Sequence, residues 1–279
     1  MSTMPTERWL ACQGIRTRYF EAGSDNAESI VFIHGLGSSA DRWLDIPLAL
    51  SLHYHTVAID LPGFGMAEKP EAGFTYSIAE FANFVSQMVR QLDLGKKKTA
   101  FVGHSLGGYI AAEIAIRDRP LVGSLVLIDT SGMLNGHPTD LLRQYLSAAM
   151  NPTKEAVRPV MEKLVAAPWR IPEVLVDGFI YRMNMAGAKN AFKLAYENSV
   201  NTQIGLERLQ TISGIKTLVI WGRQDQLISL EYQTIFQHAI KGSTVEIVED
   251  AGHAPFAEKP ALTCELIRRF LVSEVQATR

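Results

Sequence analysis

The chain has 279 residues, 47% of them hydrophobic and 20% charged, which is enough apolar material for one large core. Its 27 basic and 29 acidic residues leave a net charge of −2, which removes any electrostatic case for nucleic acid or an anionic membrane and points to a neutral or modestly charged small-molecule substrate. Cys12 and Cys264 are the only cysteines, too few for a disulfide framework and without the Cys/His spacing of a metal site.

The pattern from Trp9 to Glu21 predicts a hairpin, followed by apolar strands at Ile30–Ile33 and Thr56–Ile59 and a helix over Ser77–Leu92. A strand at Thr99–Val102 runs into the Ala-rich helical stretch Gly107–Ile116, with Pro120 just past its end, and Ser124–Ile128 reads as the next strand. This alternation predicts an α/β fold with a mostly parallel sheet and helices on both faces. The rhythm stops near Met133 and resumes with the strands Lys216–Gly222 and Thr244–Val248. Between them lie helices broken by Pro138, Pro152, Pro159, Pro168 and Pro172. The expected division is a core of residues 1–132 and 213–279 with a helical insertion at 133–212. The first residues lack an apolar leader and no apolar run is long enough to cross a bilayer, so the expected location is the cytoplasm, with no membrane partner.

Gly103-His104-Ser105-Leu106-Gly107 joins the Thr99 strand to its helix, the context of a nucleophile elbow, in which a strained turn lifts the central serine hydroxyl off the sheet. Serine needs a base to take its proton and an acid to orient that base. Asp225, just past the Lys216 strand, and His253, just past the Thr244 strand, supply both at strand ends, where open parallel sheets place ligands. Asp129, which ends the Ser124 strand, is a second candidate acid, read here as a turn-capping residue. The N–H groups of Leu106 and of Leu36, or its neighbour Gly37, are the expected donors to a developing oxyanion. His34 and His104 flank Gly-rich turns and are read as binding loop backbone.

Four motifs, His34-Gly35-Leu36-Gly37, Asp60-Leu61-Pro62-Gly63-Phe64-Gly65, the Ser105 elbow and the Asp225/Gly252-His253 pair, make the chain resemble the α/β-hydrolase fold family. The resemblance implies a helical cap in the 133–212 insertion and a structural role for Asp60 in a loop beside the pocket. It implies hydrolysis of carboxylic esters of small, largely apolar substrates with no cofactor and no metal. Ser105 is then nucleophile, His253 base and Asp225 orienting acid. Trp169, Met183 and Met185 are expected to bind the apolar part of the substrate. Carbon–carbon bond hydrolysis of ring-fission products, lactonase, thioesterase and perhydrolase activities, and a ligand-receptor role, stay open. Ring-fission hydrolases usually carry Asn where this chain has His104, although Arg143, Arg158, Arg170 and Arg182 of the insertion offer partners for a substrate carboxylate.

Overall fold

A computed structural model describes residues 4–43, 45–94, 99–167 and 171–272. Eight strands form one sheet: β1 (Thr6–Cys12), β2 (Ile15–Ala22), β3 (Ser29–Ile33), β4 (His55–Ile59), β5 (Thr99–His104), β6 (Val122–Ile128), β7 (Lys216–Gly222) and β8 (Thr244–Val248). They lie in the order β1-β2-β4-β3-β5-β6-β7-β8. β1 and β2 are the expected hairpin, closed by Gln13 and Gly14, both at positive φ (52° and 77°), the backbone of a tight two-residue turn. β2 meets β4 antiparallel, and every pairing from β4 across to β8 is parallel.

The central strands are buried on both faces, which is why they read as unbroken apolar runs. Alternate residues still divide between two layers. Phe101, Leu125 and Leu127 face the core beneath α2 (Ile78–Gln91), α3 (Leu106–Arg117) and α9 (Tyr232–Ala239). Ala100, Val102, Val126 and Ile128 face the opposite core beneath α1 (Asp45–Leu50) and α11 (Pro260–Val272). Ser77 caps α2 by accepting the Glu80 N–H at 3.3 Å, one residue from the start read in the sequence.

Between β6 and β7 the chain is helical: α4 (Asp140–Met150), α5 (Lys154–Lys163), α6 (Glu173–Met183), α7 (Ala188–Asn201) and α8 (Leu206–Gln210). The first four pack on one another, whereas α8 packs on α3 and α9, with Arg208 bonded to Glu113 at 2.8 Å. Pro138 and Pro152 each precede a threonine N-cap and Pro172 is itself the N-cap of α6, as helix-boundary prolines should. Pro159 differs: the sequence reading made it a break, yet it lies inside α5. Burial of Val157 and Val160 against the neighbouring helices offsets the missing backbone hydrogen bond. Among the described residues no helix is long and apolar enough to cross a membrane.

Candidate active site

Ser105 sits between β5 and α3 with φ 54° and ψ −117°, a backbone conformation that side-chain-bearing residues rarely adopt. Its N–H donates to Ile128 at 2.9 Å and its carbonyl accepts from Ser131 at 3.2 Å, so β6 holds the strain in place. Glycines flank it for a steric reason. A Cβ on Gly103 would lie 2.2 Å from the Gly107 carbonyl oxygen, and one on Gly107 would lie 2.1 Å from that of Ile33.

His253 and Asp225 meet across the ends of β8 and β7. The His253 Nδ1–H donates to Asp225 Oδ2 at 2.8 Å, while Asp225 Oδ1 accepts the N–H groups of Leu227 at 2.8 Å and Ile228 at 3.0 Å. Both oxygens of the buried carboxylate are thus engaged, and the imidazole is fixed with its Nε2 lone pair available as a proton acceptor. Ser105 and His253 line the same cavity of about 740 Å³, which the loops Gly35–Ser38, the start of α3 and the helical insertion enclose. Leu36 and Leu106 line it too, and among the described residues neither backbone N–H donates to a protein acceptor. For Leu106 the reason is general, since the first N–H groups of a helix have no partner within it.

Asp129 is completely buried at φ 42°, and its Oδ1 accepts the Gly222 N–H at 2.9 Å. One ligand atom from each of Asp129, Asp225 and His253 lies within 4.8 Å of the other two. Burial first, and then the Asp225 charge, hold the Asp129 carboxyl well above the usual carboxylate range, which favours its protonated form. It backs Asp225 and does not itself reach the imidazole nitrogen.

The two histidines beside the Gly-rich turns bind backbone. His34 donates through Nδ1 to its neighbour Gly35 at 2.7 Å and accepts the Leu61 N–H on Nε2 at 3.1 Å. His104 donates through Nε2 to the His253 carbonyl at 2.6 Å. Burial keeps both rings below the ordinary histidine range, and hence neutral. Asp60, also fully buried, accepts from Ala40, Met66 and Arg18 at 2.7–2.8 Å, which makes it the organiser of its loop.

Two residues, Glu258 and Arg42, had no sequence signal. Glu258 returns from α10 (Pro255–Glu258) to accept the N–H groups of Gly252 at 2.8 Å and Ala254 at 3.3 Å with one oxygen, and that of Ala166 with the other at 2.7 Å. It clamps both peptides around His253, but a lone glutamate five residues downstream looks like any surface charge. Arg42 lies in the cavity wall with Arg182, whereas Arg143 pairs with Asp140 and Arg158 with Glu162 and Glu173.

The expectation for the substrate-binding residues needs correcting. Met183 is 1% exposed in the packed interior and Met185 packs against that interior, and neither lines the cavity. Leu175, Phe179 and Arg182, at i, i+4 and i+7 of α6, take the wall, whereas Met183 shares the buried row of Val176 and Met185 lies past the end of the helix. Trp169 and Arg170 lie outside the described residues.

The model of the "Alpha/beta hydrolase family" matches residues 30–266, which spans β3 through α11. The chain belongs to the alpha/beta hydrolase family. Among its relatives within the curated proteins, the acetyltransferase component of the acetoin cleaving system of Cupriavidus necator is 31% identical over 88% of this chain, which spans 64% of that relative. Monoacylglycerol lipase of Mus musculus is 25% identical over 95% of this chain and 85% of its own. The 2-hydroxy-6-oxo-6-(2'-aminophenyl)hexa-2,4-dienoic acid hydrolase of Metapseudomonas resinovorans is 26% identical over 98% and 93%. Among solved structures, a membrane phospholipase A superposes with TM-score 0.82 at 26% identity, covering 96% of this chain and 86% of that one. This α/β hydrolase is therefore similar over most of its length to hydrolases of more than one kind.

Proposed function

We propose that this α/β hydrolase is a serine hydrolase of carboxylic esters with a largely apolar acyl or alcohol group, working from the cavity that Ser105 and His253 share. The observation that carries the reading is the 2.8 Å bond from His253 Nδ1 to a buried, fully engaged Asp225, because it presents Nε2 as an acceptor in the cavity that holds the strained serine. The Ser105 hydroxyl attacks the ester carbon as its proton passes to His253 Nε2. The Leu36 and Leu106 N–H groups receive the oxyanion of the tetrahedral intermediate. His253 then returns the proton to the departing alcohol, and the acyl-enzyme is cleaved by a water that the same imidazole deprotonates. A cavity of about 740 Å³ suits a small-molecule substrate. The likeness to a monoacylglycerol lipase and a phospholipase A supports esters, and the likeness to a dienoic acid hydrolase favours carbon–carbon cleavage as the second reading.

The test is chromogenic esters of graded acyl length beside a dienoate ring-fission product, with fluorophosphonate labelling of the serine. Ser105→Ala should lose labelling and at least about 10³-fold in kcat while melting like the parent. Turnover that survives the substitution, or turnover of the dienoate alone, sinks the ester reading.

A further inference from the structure

Arg42 and Arg182 stand in the wall of the Ser105 cavity with no ionic partner. Arg42 belongs to the short helical turn Ala40–Trp43 after β3, and Arg182 to the last turn of α6. Among the described residues neither guanidinium reaches a carboxylate within 4 Å or makes a hydrogen bond, and the Arg182 Nε is shielded from solvent without an acceptor. Every other described arginine has a carboxylate, a backbone carbonyl or, for Arg16, the Trp9 ring.

The carboxylates that could have served are already taken. Asp41 and Asp60 are the acids whose charge acts on Arg182, and both bind Arg18, at 2.5 and 2.8 Å. Burial pushes both guanidinium groups below their ordinary range, and for Arg42 the Arg182 charge does so as well. Tyr145 lines the same cavity, and its hydroxyl donates to the Leu36 carbonyl at 3.0 Å. Both residues are half-buried, and a cation partly withdrawn from water without a partner is costly unless a ligand completes it.

We propose that Arg42 and Arg182 form a carboxylate-binding subsite, so that the substrate of this cavity is an ester that also carries a carboxylate. This rests on the reading of the cavity as an ester site. Guanidinium groups offer paired N–H donors matched to a carboxylate, and Tyr145, Phe179 and Leu142 give the same cavity a largely apolar wall. The mild net charge of the chain conceals the site, because the positive charge is local. A different role would be to add positive potential to the oxyanion hole, which would speed neutral and anionic esters alike.

Matched substrates separate the two. Phenyl hexanoate is compared with phenyl hydrogen adipate, which places the charge on the acyl side, and with 4-(hexanoyloxy)benzoate, which places it on the alcohol side. One anionic ester should exceed phenyl hexanoate in kcat/KM by at least tenfold, and Arg42→Gln and Arg182→Gln should each lower that ratio at least tenfold. Arg→Lys at either position should fall between. Binding of hexanoate and of hexanamide to Ser105→Ala protein, followed by calorimetry, reads the subsite without turnover: hexanoate should bind more tightly, and the advantage should vanish in the Gln variants. A parent enzyme that prefers the neutral ester in both pairs and binds hexanoate no better than hexanamide overturns the subsite but leaves the ester reading standing. Carboxylate binding that depends on both arginines, in a protein that turns over none of the esters, keeps the subsite and overturns the ester reading. Ratios that survive both Gln substitutions overturn the subsite as well.

Discussion

The backbone N–H of His253 donates to the Leu164 carbonyl at 2.7 Å, so the candidate base hangs from the end of α5 as well as from the sheet. Its carbonyl is held in turn by His104 Nε2 at 2.6 Å. Sheet and helical insertion thereby fix the imidazole jointly, and a Cβ on the adjacent Gly252 would meet the same Leu164 oxygen at 2.5 Å.

Glu258 locks this arrangement, since its carboxylate accepts N–H groups on both sides of His253 and from Ala166. Glu258→Ala should strand those donors at about 1–3 kcal/mol for each that water cannot reach, lowering Tm by several degrees. Loosening the imidazole should reduce kcat by about tenfold or more with little change in KM. Glu258→Gln, which keeps one acceptor oxygen, should fall between. Equal kcat in all three proteins would show that the clamp does not position the base.

Asp225→Asn and Asp129→Asn decide which acid serves the triad. Removing the Asp225 charge should cost about 10⁴ in kcat, as in a serine protease with its triad acid amidated. Asp129→Asn should cost far less, because an amide oxygen can still accept the Gly222 N–H and its NH₂ can face Asp225. The larger loss in Asp129→Asn, with a normal melt, would move the acid to Asp129.

Asp129 also predicts how stability follows pH. Its folded-state pKa is raised, so above the unfolded carboxyl range the native protein binds a proton that the unfolded chain has released. Stability is therefore fully present below that range and is lost as pH rises toward the folded-state pKa. Unfolding in urea at pH 5 and pH 8 should show a smaller fall for Asp129→Asn than for the parent. An identical fall in both would mean that Asp129 is ionised in the native state.

Leu175, half-buried on α6 and facing the cavity, should govern chain-length preference. Leu175→Ala lengthens the pocket by a few methylenes' volume, and about 1–3 kcal/mol of transition-state binding per methylene is at stake. The optimum in an ester series should shift to longer acyl or alcohol groups. A superimposable chain-length profile would place the substrate elsewhere in the cavity.

Asp60→Ala should act on stability and not on chemistry. It leaves the largely buried Arg18 guanidinium without its principal partner and frees two backbone N–H groups, a loss of about 3–5 kcal/mol by analogy with broken buried ion pairs. Urea unfolding measures it. A variant as stable as the parent but without turnover would bring Asp60 into the reaction.

Much of this protein is written locally. The elbow at Ser105, the two-residue turn at Gln13-Gly14 and the fully buried, mostly apolar β3 and β5 follow from backbone sterics and burial that a few neighbouring residues fix, so they are legible as sequence. The strand-end positions of Asp225 and His253 follow from the same alternation of elements, and their 2.8 Å bond agrees with that reading. Which side chains line the cavity is another matter. Met183 and Leu175 share one helix and are both apolar, and only the packing of α6 on its neighbours turns one inward to the core and the other toward the ligand. Pro159 likewise survives inside α5 because distant apolar partners outweigh a local preference. The Glu258 clamp joins residues nearly 100 positions apart, and Asp41 and Asp60, the acids whose charge acts on Arg182, bind Arg18 instead. Charge pairing of this kind is a competition across the folded chain, and no window of sequence records its outcome.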